Sequence, residues 1–229
     1  MERTKTKNGF NYIRSISNYS KIKHEPRVPA RILKIQYNTI FFLEEMASRL
    51  NLSLVSVSNL EIAFDSNVNF ARLIKRTVAD EKFIPVVNRV KYPDVDSRER
   101  INNTHLNYET TRARAVNLSY YVQQSKGRLE LKCYNKSREI QGKSGKTYIY
   151  RWLNMDKNIH RMEIKAKREP INAFCEDKGI LLSDFLYNLH TGKNLSEAFN
   201  LWLNRLIHFK NAKNPNGKDI TIFDLVRKK

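Results

Sequence analysis

Tyr134 stands in the run Leu129-Glu-Leu-Lys-Cys-Tyr-Asn-Lys-Ser-Arg-Glu139, where apolar and polar residues alternate. Such alternation predicts a strand, and one face of it would carry Glu130, Lys132, Tyr134 and Lys136. A free phenol, with a pKa of about 10, offers little phenolate at neutral pH. A cation about 4 Å away, at an effective dielectric of about 20, favours the anion by ~4 kcal/mol. Lys132 and Lys136 are therefore expected to lower the Tyr134 pKa, which would make its oxygen a nucleophile toward phosphorus. The plainer alternative is a packed aromatic flanked by lysine stems.

Two carboxylate motifs could complete that chemistry. In Glu61-Ile-Ala-Phe-Asp65 a strand would set Glu61, Ala63 and Asp65 on one face and Ile62 and Phe64 on the other. Carboxylates so placed repel unless something positive lies between them, and Mg²⁺ or Mn²⁺ held by oxygen ligands would serve. In Arg161-Met-Glu163, Arg161, Glu163 and Lys165 share a face. Glu163 is then a candidate third metal ligand and Arg161 a candidate phosphate clamp. Ion-paired surface strands would produce the same patterns. His160 falls on the face opposite Glu163 and is a weak ligand candidate. The five histidines show neither H-x-H nor H-E-x-x-H spacing.

The elements that must position these residues read as follows. Tyr37 to Leu50 is an expected amphipathic helix, Leu52 to Asp65 a strand, Val68 to Ala79 a helix and Phe83 to Tyr92 a strand. Tyr92 to Asn107 reads as a polar loop. Tyr108 to Val122 and Arg128 to Tyr134 are expected strands around the turn Gln124-Ser-Lys-Gly127, and Ile159 to Lys167 is a further strand. Gly142 to Lys146 is an expected basic turn, followed by a strand-like Thr147 to Trp152. Its Gly145-Lys146-Thr147 only imitates a phosphate-binding loop, because Ile140 stands where the first glycine is needed. Helices are expected over Ile171 to Lys178, Leu181 to Leu189 and Leu195 to Phe209. Together these predict an α+β fold, a mainly antiparallel sheet flanked by helices. Residues 1–36 read as a basic N-terminal arm ahead of one catalytic domain over residues 37–229.

The chain has 229 residues and a formal net charge of +19, with 41% hydrophobic residues. That is enough apolar material for a core, and a charge that calls for a polyanionic partner, nucleic acid foremost. Lys132, Arg112, Arg114, Lys143 and Lys146 are candidate DNA contacts, as are Lys91, Arg98 and Arg100. No apolar run is long enough to span a bilayer, so no membrane role is expected. Cys133 and Cys175 form no C-x-x-C pair and read as free buried thiols of a cytoplasmic protein.

In order, E-x-x-x-D at Glu61–Asp65, Y-N-K-x-x-E at Tyr134–Glu139 and R-x-E at Arg161–Glu163 resemble the motifs of plasmid and phage rolling-circle replication initiators, most closely the trans-acting group. The resemblance spans roughly residues 54–167. It implies an HUH-endonuclease-like fold and a divalent-metal-dependent enzyme that nicks and rejoins one DNA strand through a 5′-phosphotyrosine link. Residue by residue it implies Tyr134 as nucleophile, with Lys136 and Arg161 beside it, and Glu61, Asp65 and Glu163 at the metal. Glu139 closes the tyrosine motif, and Tyr120, Tyr121, Tyr148 and Tyr150 remain rivals for the nucleophile. The H-x-H pair of the wider class is missing here, which fits a carboxylate-using branch. Origin DNA, single-stranded at the nick, is the implied partner, with a homodimer and a host helicase beyond it. A relaxase of a mobilisable element and a non-catalytic nucleic-acid-binding protein are the alternative readings.

Overall fold

On β3 (Asn59–Ser66) the side chains of Leu60, Ile62 and Phe64 are buried, and they alternate with Glu61, Ala63 and Asp65. The same period runs through β7 (Val116–Gln123), β8 (Leu129–Asn135) and β9 (His160–Lys167). Tyr120, Val122, Leu129, Leu131, Cys133, Met162, Ile164 and Ala166 are all buried. The computed structural model describes residues 11–19, 32–36, 49, 57–110, 116–145, 147, 150, 158–187 and 193–227. These strands belong to a seven-stranded sheet in the order β2-β1-β3-β9-β8-β7-β6, with β1 at Asn11–Tyr19, β2 at Ile32–Gln36 and β6 at Leu106–Thr110. Every neighbouring pair is antiparallel.

The apolar face of the sheet is covered by α1 (Phe70–Ala79), α4 (Arg168–Lys178) and α6 (Lys193–Leu206). Phe70, Ile74, Phe174, Phe199 and Trp202 of these helices join the strand residues in one core. Each such side chain contributes about 1.5–3 kcal/mol on burial. Asn69 caps α1 by accepting a hydrogen bond from the Arg72 amide at 3.0 Å. Two short helices, α5 (Leu182–Tyr187) and α7 (Ile222–Arg227), complete this side. The architecture is the expected α+β one, an antiparallel sheet flanked by helices. No helix among the described residues is long and apolar enough to cross a membrane. Cys133 and Cys175 are free and buried.

Several expectations differ from the fold. The strand expected over Tyr108 to Val122 is two, β6 and β7, paired antiparallel from Leu106 opposite Tyr120 to Thr110 opposite Val116. Residues 11–19 and 32–36, assigned to a separate basic arm, pair into the sheet, because β1 hydrogen-bonds to β3 along Asn11–Ser15. Residues 83–92 form a hairpin, β4 (Phe83–Val87) and β5 (Val90–Lys91), turning at Asn88-Arg89 without the glycine that marks such turns. The expected helix through Phe209 stops at Leu206, and Ile207–Asn211 becomes β10, which pairs with β4 in a second, three-stranded sheet. The expected loop over Tyr92 to Asn107 contains α2 (Val95–His105), capped by Asp94 on the Ser97 amide at 2.7 Å. Only Arg98 and Ile101 of α2 are buried, so no apolar period announces it. The expected helix over Tyr37 to Leu50 lies outside the described residues except at Arg49. The strand-like Thr147 to Trp152 does so except at Thr147 and Tyr150.

Arg98 was a candidate DNA contact, but its guanidinium is buried and points inward. It donates to the carbonyls of Phe83 at 2.9 Å, Pro93 at 3.2 Å and Val78 at 3.5 Å, tying α1, β4 and α2 together. Arg98→Met leaves those carbonyls without their donor, and urea unfolding should show a loss of about 1–3 kcal/mol with little effect on nucleic-acid affinity.

Candidate active site

The strand register stacks the singled-out residues in rows across one face of the sheet. Asp65 of β3 lies opposite Arg161 of β9, which lies opposite Tyr134 of β8. In the next row Ala63, Glu163 and Lys132 are followed by Tyr121 of β7. The third row runs Glu61, Lys165, Glu130 and Gln123. Since the pleat sends alternate residues to opposite faces, all of these share the side away from the apolar core.

Asp65 and Arg161 form the most buried polar contact of the face. Nε and Nη2 of Arg161 donate to Oδ1 and Oδ2 of Asp65, each at 2.8 Å, in the two-pronged geometry that suits guanidinium and carboxylate. Burial works against the charge on Arg161, but the hydrogen bonds and field of Asp65 override it and raise the guanidinium pKa. On the other side of Arg161, Nη1 approaches Glu163 Oε2 at 3.9 Å. Glu163 in turn accepts a hydrogen bond from the Tyr134 hydroxyl at 3.2 Å. The result is a chain from Asp65 through Arg161 and Glu163 to the Tyr134 phenol.

Lys136 reaches this chain from outside the strand. It was expected on the strand face, yet β8 ends at Asn135, whose side chain caps the helical turn α3 (Lys136–Glu139) by accepting from the Arg138 amide at 2.9 Å. Ser137 locks that turn to the start of β9, its hydroxyl accepting from the Ile159 amide at 2.8 Å. Lys136 is buried, pairs with Glu139, and holds Nζ 5.9 Å from the centroid of the Tyr134 ring. Burial and the neighbouring Arg161 lower its pKa. The capping asparagine of Y-N-K-S-R-E was the legible signal for this turn, masked by the alternation running into it.

The expected depression of the Tyr134 pKa is reversed. Burial raises it, and the Glu163 carboxylate adds to the rise, with Glu139 in the same direction and Arg161 opposing. Tyr134 is therefore a neutral phenol donating to a carboxylate, and Glu163 is placed to accept its proton.

The expected metal trio does not assemble. Glu61 and Asp65 are four residues apart on one strand, about 13 Å at the usual rise. Asp65 is taken by Arg161, and Glu61 faces Lys165 at 3.9 Å. No group of three metal-ligating side chains occurs among the described residues. The carboxylates alternate with cations across the strands and along β9, so each finds an opposite charge beside it instead of a shared ion. The residues in place do not fit a metal held by Glu61, Asp65 and Glu163.

The rival tyrosines separate. Tyr120 faces the core and is buried, and Tyr150 directs its hydroxyl at the Ser137 carbonyl at 3.4 Å. Tyr121 shares the polar face, with Lys132 Nζ 6.0 Å from its ring centroid. Burial and Glu130 raise its pKa as well. Tyr148 lies outside the described residues, as do Arg112, Arg114 and Lys146. Lys143 is placed only by its backbone, in the turn Ile140–Ser144, which Gly145 closes in the left-handed conformation (φ 61°). That glycine ends a helical turn, unlike a phosphate-binding loop, where it would lead into one. Lys132 stands on the polar face with its side chain 45% exposed, open to a ligand.

Among solved structures the chain is similar to the rolling circle replication initiator protein from Geobacillus stearothermophilus. The two are 12% identical, with a TM-score of 0.44, over 76% of this chain and 54% of that one. The chain thus spans about half the length of that initiator. No family model and no curated protein matches the sequence.

Removing one partner of the buried pair by Asp65→Ala strands a guanidinium inside the protein and should cost about 3–5 kcal/mol in urea unfolding. The double change Asp65→Leu with Arg161→Met removes both charges and should recover most of that loss. Subtracting the alkaline absorbance titration of Tyr134→Phe from that of the parent isolates the Tyr134 phenolate, which should be missing at pH of about 10, where a free phenol is half ionised. Glu163→Gln removes a raising charge, so the same titration should move to lower pH.

Proposed function

We propose that this protein nicks and rejoins one strand of DNA by transesterification at a tyrosine on the polar face of its sheet, in the service of rolling-circle-type replication initiation. The observation that carries the reading is the Tyr134 hydroxyl resting on Glu163, with Arg161 beyond it and Lys136 over the ring. In this reading the phenol oxygen attacks a backbone phosphorus as Glu163 takes its proton. The bond from phosphorus to the 3′ oxygen of the upstream nucleotide breaks with its electron pair on that oxygen. That oxygen takes a proton from water and leaves as a free 3′-hydroxyl, and a 5′-phosphotyrosine link forms. Exchange of one phosphodiester for another conserves the energy needed to rejoin the strand. Arg161, held by Asp65, orients Glu163, and Lys136 supplies a cation beside the reacting phenol. The motif resemblance and the net charge of +19 support a DNA substrate.

A second reading keeps the reaction and moves the nucleophile to Tyr121. Its favouring observation is the setting of Tyr121, partly exposed on the same face with the half-exposed Lys132 6.0 Å from its ring centroid, while burial raises the Tyr134 pKa strongly. Tyr134 would then be the residue that orients Glu163.

Nicking of an end-labelled pool of single-stranded oligonucleotides, with Mg²⁺, Mn²⁺ or a chelator, tests the proposal and its ion requirement together. Parent protein should cut. Glu163→Gln should be slower by about 10²–10⁴-fold, the usual contribution of a positioned base. Cutting that survives Glu163→Gln unchanged would remove Glu163 from the mechanism. Salt-sensitive binding without any cutting would favour a non-catalytic binding protein. A relaxase would behave as the initiator does and differ only in the site it cuts.

A further inference from the structure

Three non-glycine residues among the described ones have positive φ: Asn88 at 51°, Arg89 at 69° and Lys126 at 60°. All three gather at one end of the large sheet. Asn88 and Arg89 are the two turn residues of the β4–β5 hairpin, between the paired Val87 and Val90. Lys126 lies in the turn that joins β7 to β8. The turns are fastened together, for Asn88 Nδ2 donates to the Gln123 carbonyl at 3.0 Å where the second turn begins. The Asn88 amide donates to the Leu206 carbonyl at 3.0 Å, and Lys167 Nζ donates to the Lys126 carbonyl at 3.0 Å. Both turns are therefore held rigidly.

Left-handed backbone favours glycine, or asparagine as at position 88, and long side chains there are strained. Arginine and lysine occupy two such positions, one in each of two turns joined by the Asn88–Gln123 hydrogen bond, and both side chains are exposed. Neither makes an ion pair among the described residues, although Arg128 beside them is paired with Glu169 at 2.7 Å. Packing does not explain them, and stability would be better served by glycine. The turns are pinned by hydrogen bonds, and the cations they present have no ion-pair partner among the described residues.

We infer that Arg89 and Lys126 form a clamp for two backbone phosphates of duplex DNA flanking the nicked strand. This rests on the proposed nicking function for its biological setting. The clamp lies at the opposite end of β8 from Tyr134, about 20 Å away by strand rise, a distance of about six base pairs at the spacing of duplex DNA. It positions DNA by its backbone and reads no bases.

The test uses the double variant Arg89→Gly with Lys126→Gly, which relieves both strained positions. Three readouts are taken: thermal midpoint, anisotropy of a labelled DNA duplex from low to moderate salt, and cutting of a single-stranded oligonucleotide too short to reach the turns. The midpoint should stay or rise, duplex affinity at low salt should fall at least tenfold, and the slope of log affinity against log salt should shrink by about 1.8 for two lost phosphates. Cutting of the short strand should not change. Unaltered duplex affinity would overturn the clamp, and so would a lowered midpoint, which would make the two side chains structural. An RNA duplex of the same sequence is titrated beside the DNA, and a loss confined to the RNA would overturn the assignment to DNA. Absence of cutting in the parent would defeat the proposed nicking reaction while leaving the duplex measurement to decide the clamp.

Discussion

The Asp65–Arg161 pair fixes how the polar face is assembled. Two charges withdrawn from water are tolerated only together, and the fork of two 2.8 Å hydrogen bonds lets Asp65 on β3 satisfy Arg161 on β9 at one register alone. A slip of one residue would turn Arg161 toward Phe64 and Ile62 and bring Met162 and Ile164 to the charged side. With β9 so placed, Glu163 falls between Ala63 and Lys132, and Tyr134 falls opposite Arg161. The phenol–carboxylate contact follows from a salt bridge on the neighbouring strand.

That arrangement explains why the face carries both signs of charge in a protein with an excess of 19 positive ones. Asp65 and Glu61 of β3 pair with Arg161 and Lys165 of β9, while Glu163 and Glu130 stand beside Arg161 and Lys132 of their own strands, which keeps a closely spaced set of charges from repelling itself. Burial, with the carboxylates adding to it, raises the Tyr134 pKa, so any attack by that oxygen depends on passing its proton to Glu163 rather than on a standing phenolate. Lys132, half-exposed and only 4.0 Å from Glu130, and the two exposed turn residues at the end of the sheet, which make no ion pair among the described residues, are cations that a nucleic acid can neutralise.

Much of this was legible in the chain. The alternation in Leu129–Asn135, Asn59–Ser66 and His160–Lys167 reports a strand buried on one side, and it placed Tyr134, Glu163, Arg161, Asp65 and Lys132 on their faces. Which carboxylate meets which cation was not legible, because register between strands 96 residues apart is set in space, as for Arg161 and Asp65. The metal trio was inferred from carboxylates of which two, Glu61 and Asp65, have their cationic partners on another strand. Local signals were hidden too. Asn135 capping α3 was masked by the alternation before it, and α2 offered no apolar stripe because its buried positions are Arg98 and Ile101. The hairpin at Asn88-Arg89 lacks the glycine that announces such turns.

The central claim is that a tyrosine of this face becomes covalently joined to DNA, and covalent capture tests it most directly. The protein is incubated with single-stranded DNA and Mn²⁺, denatured, digested, and any nucleotide-bearing peptide is located by mass spectrometry. The account predicts a phosphotyrosine in a peptide containing Tyr134 or Tyr121, the two candidates on the polar face. An adduct at Tyr120 or Tyr150, or DNA that is cut with no peptide attached, would contradict it.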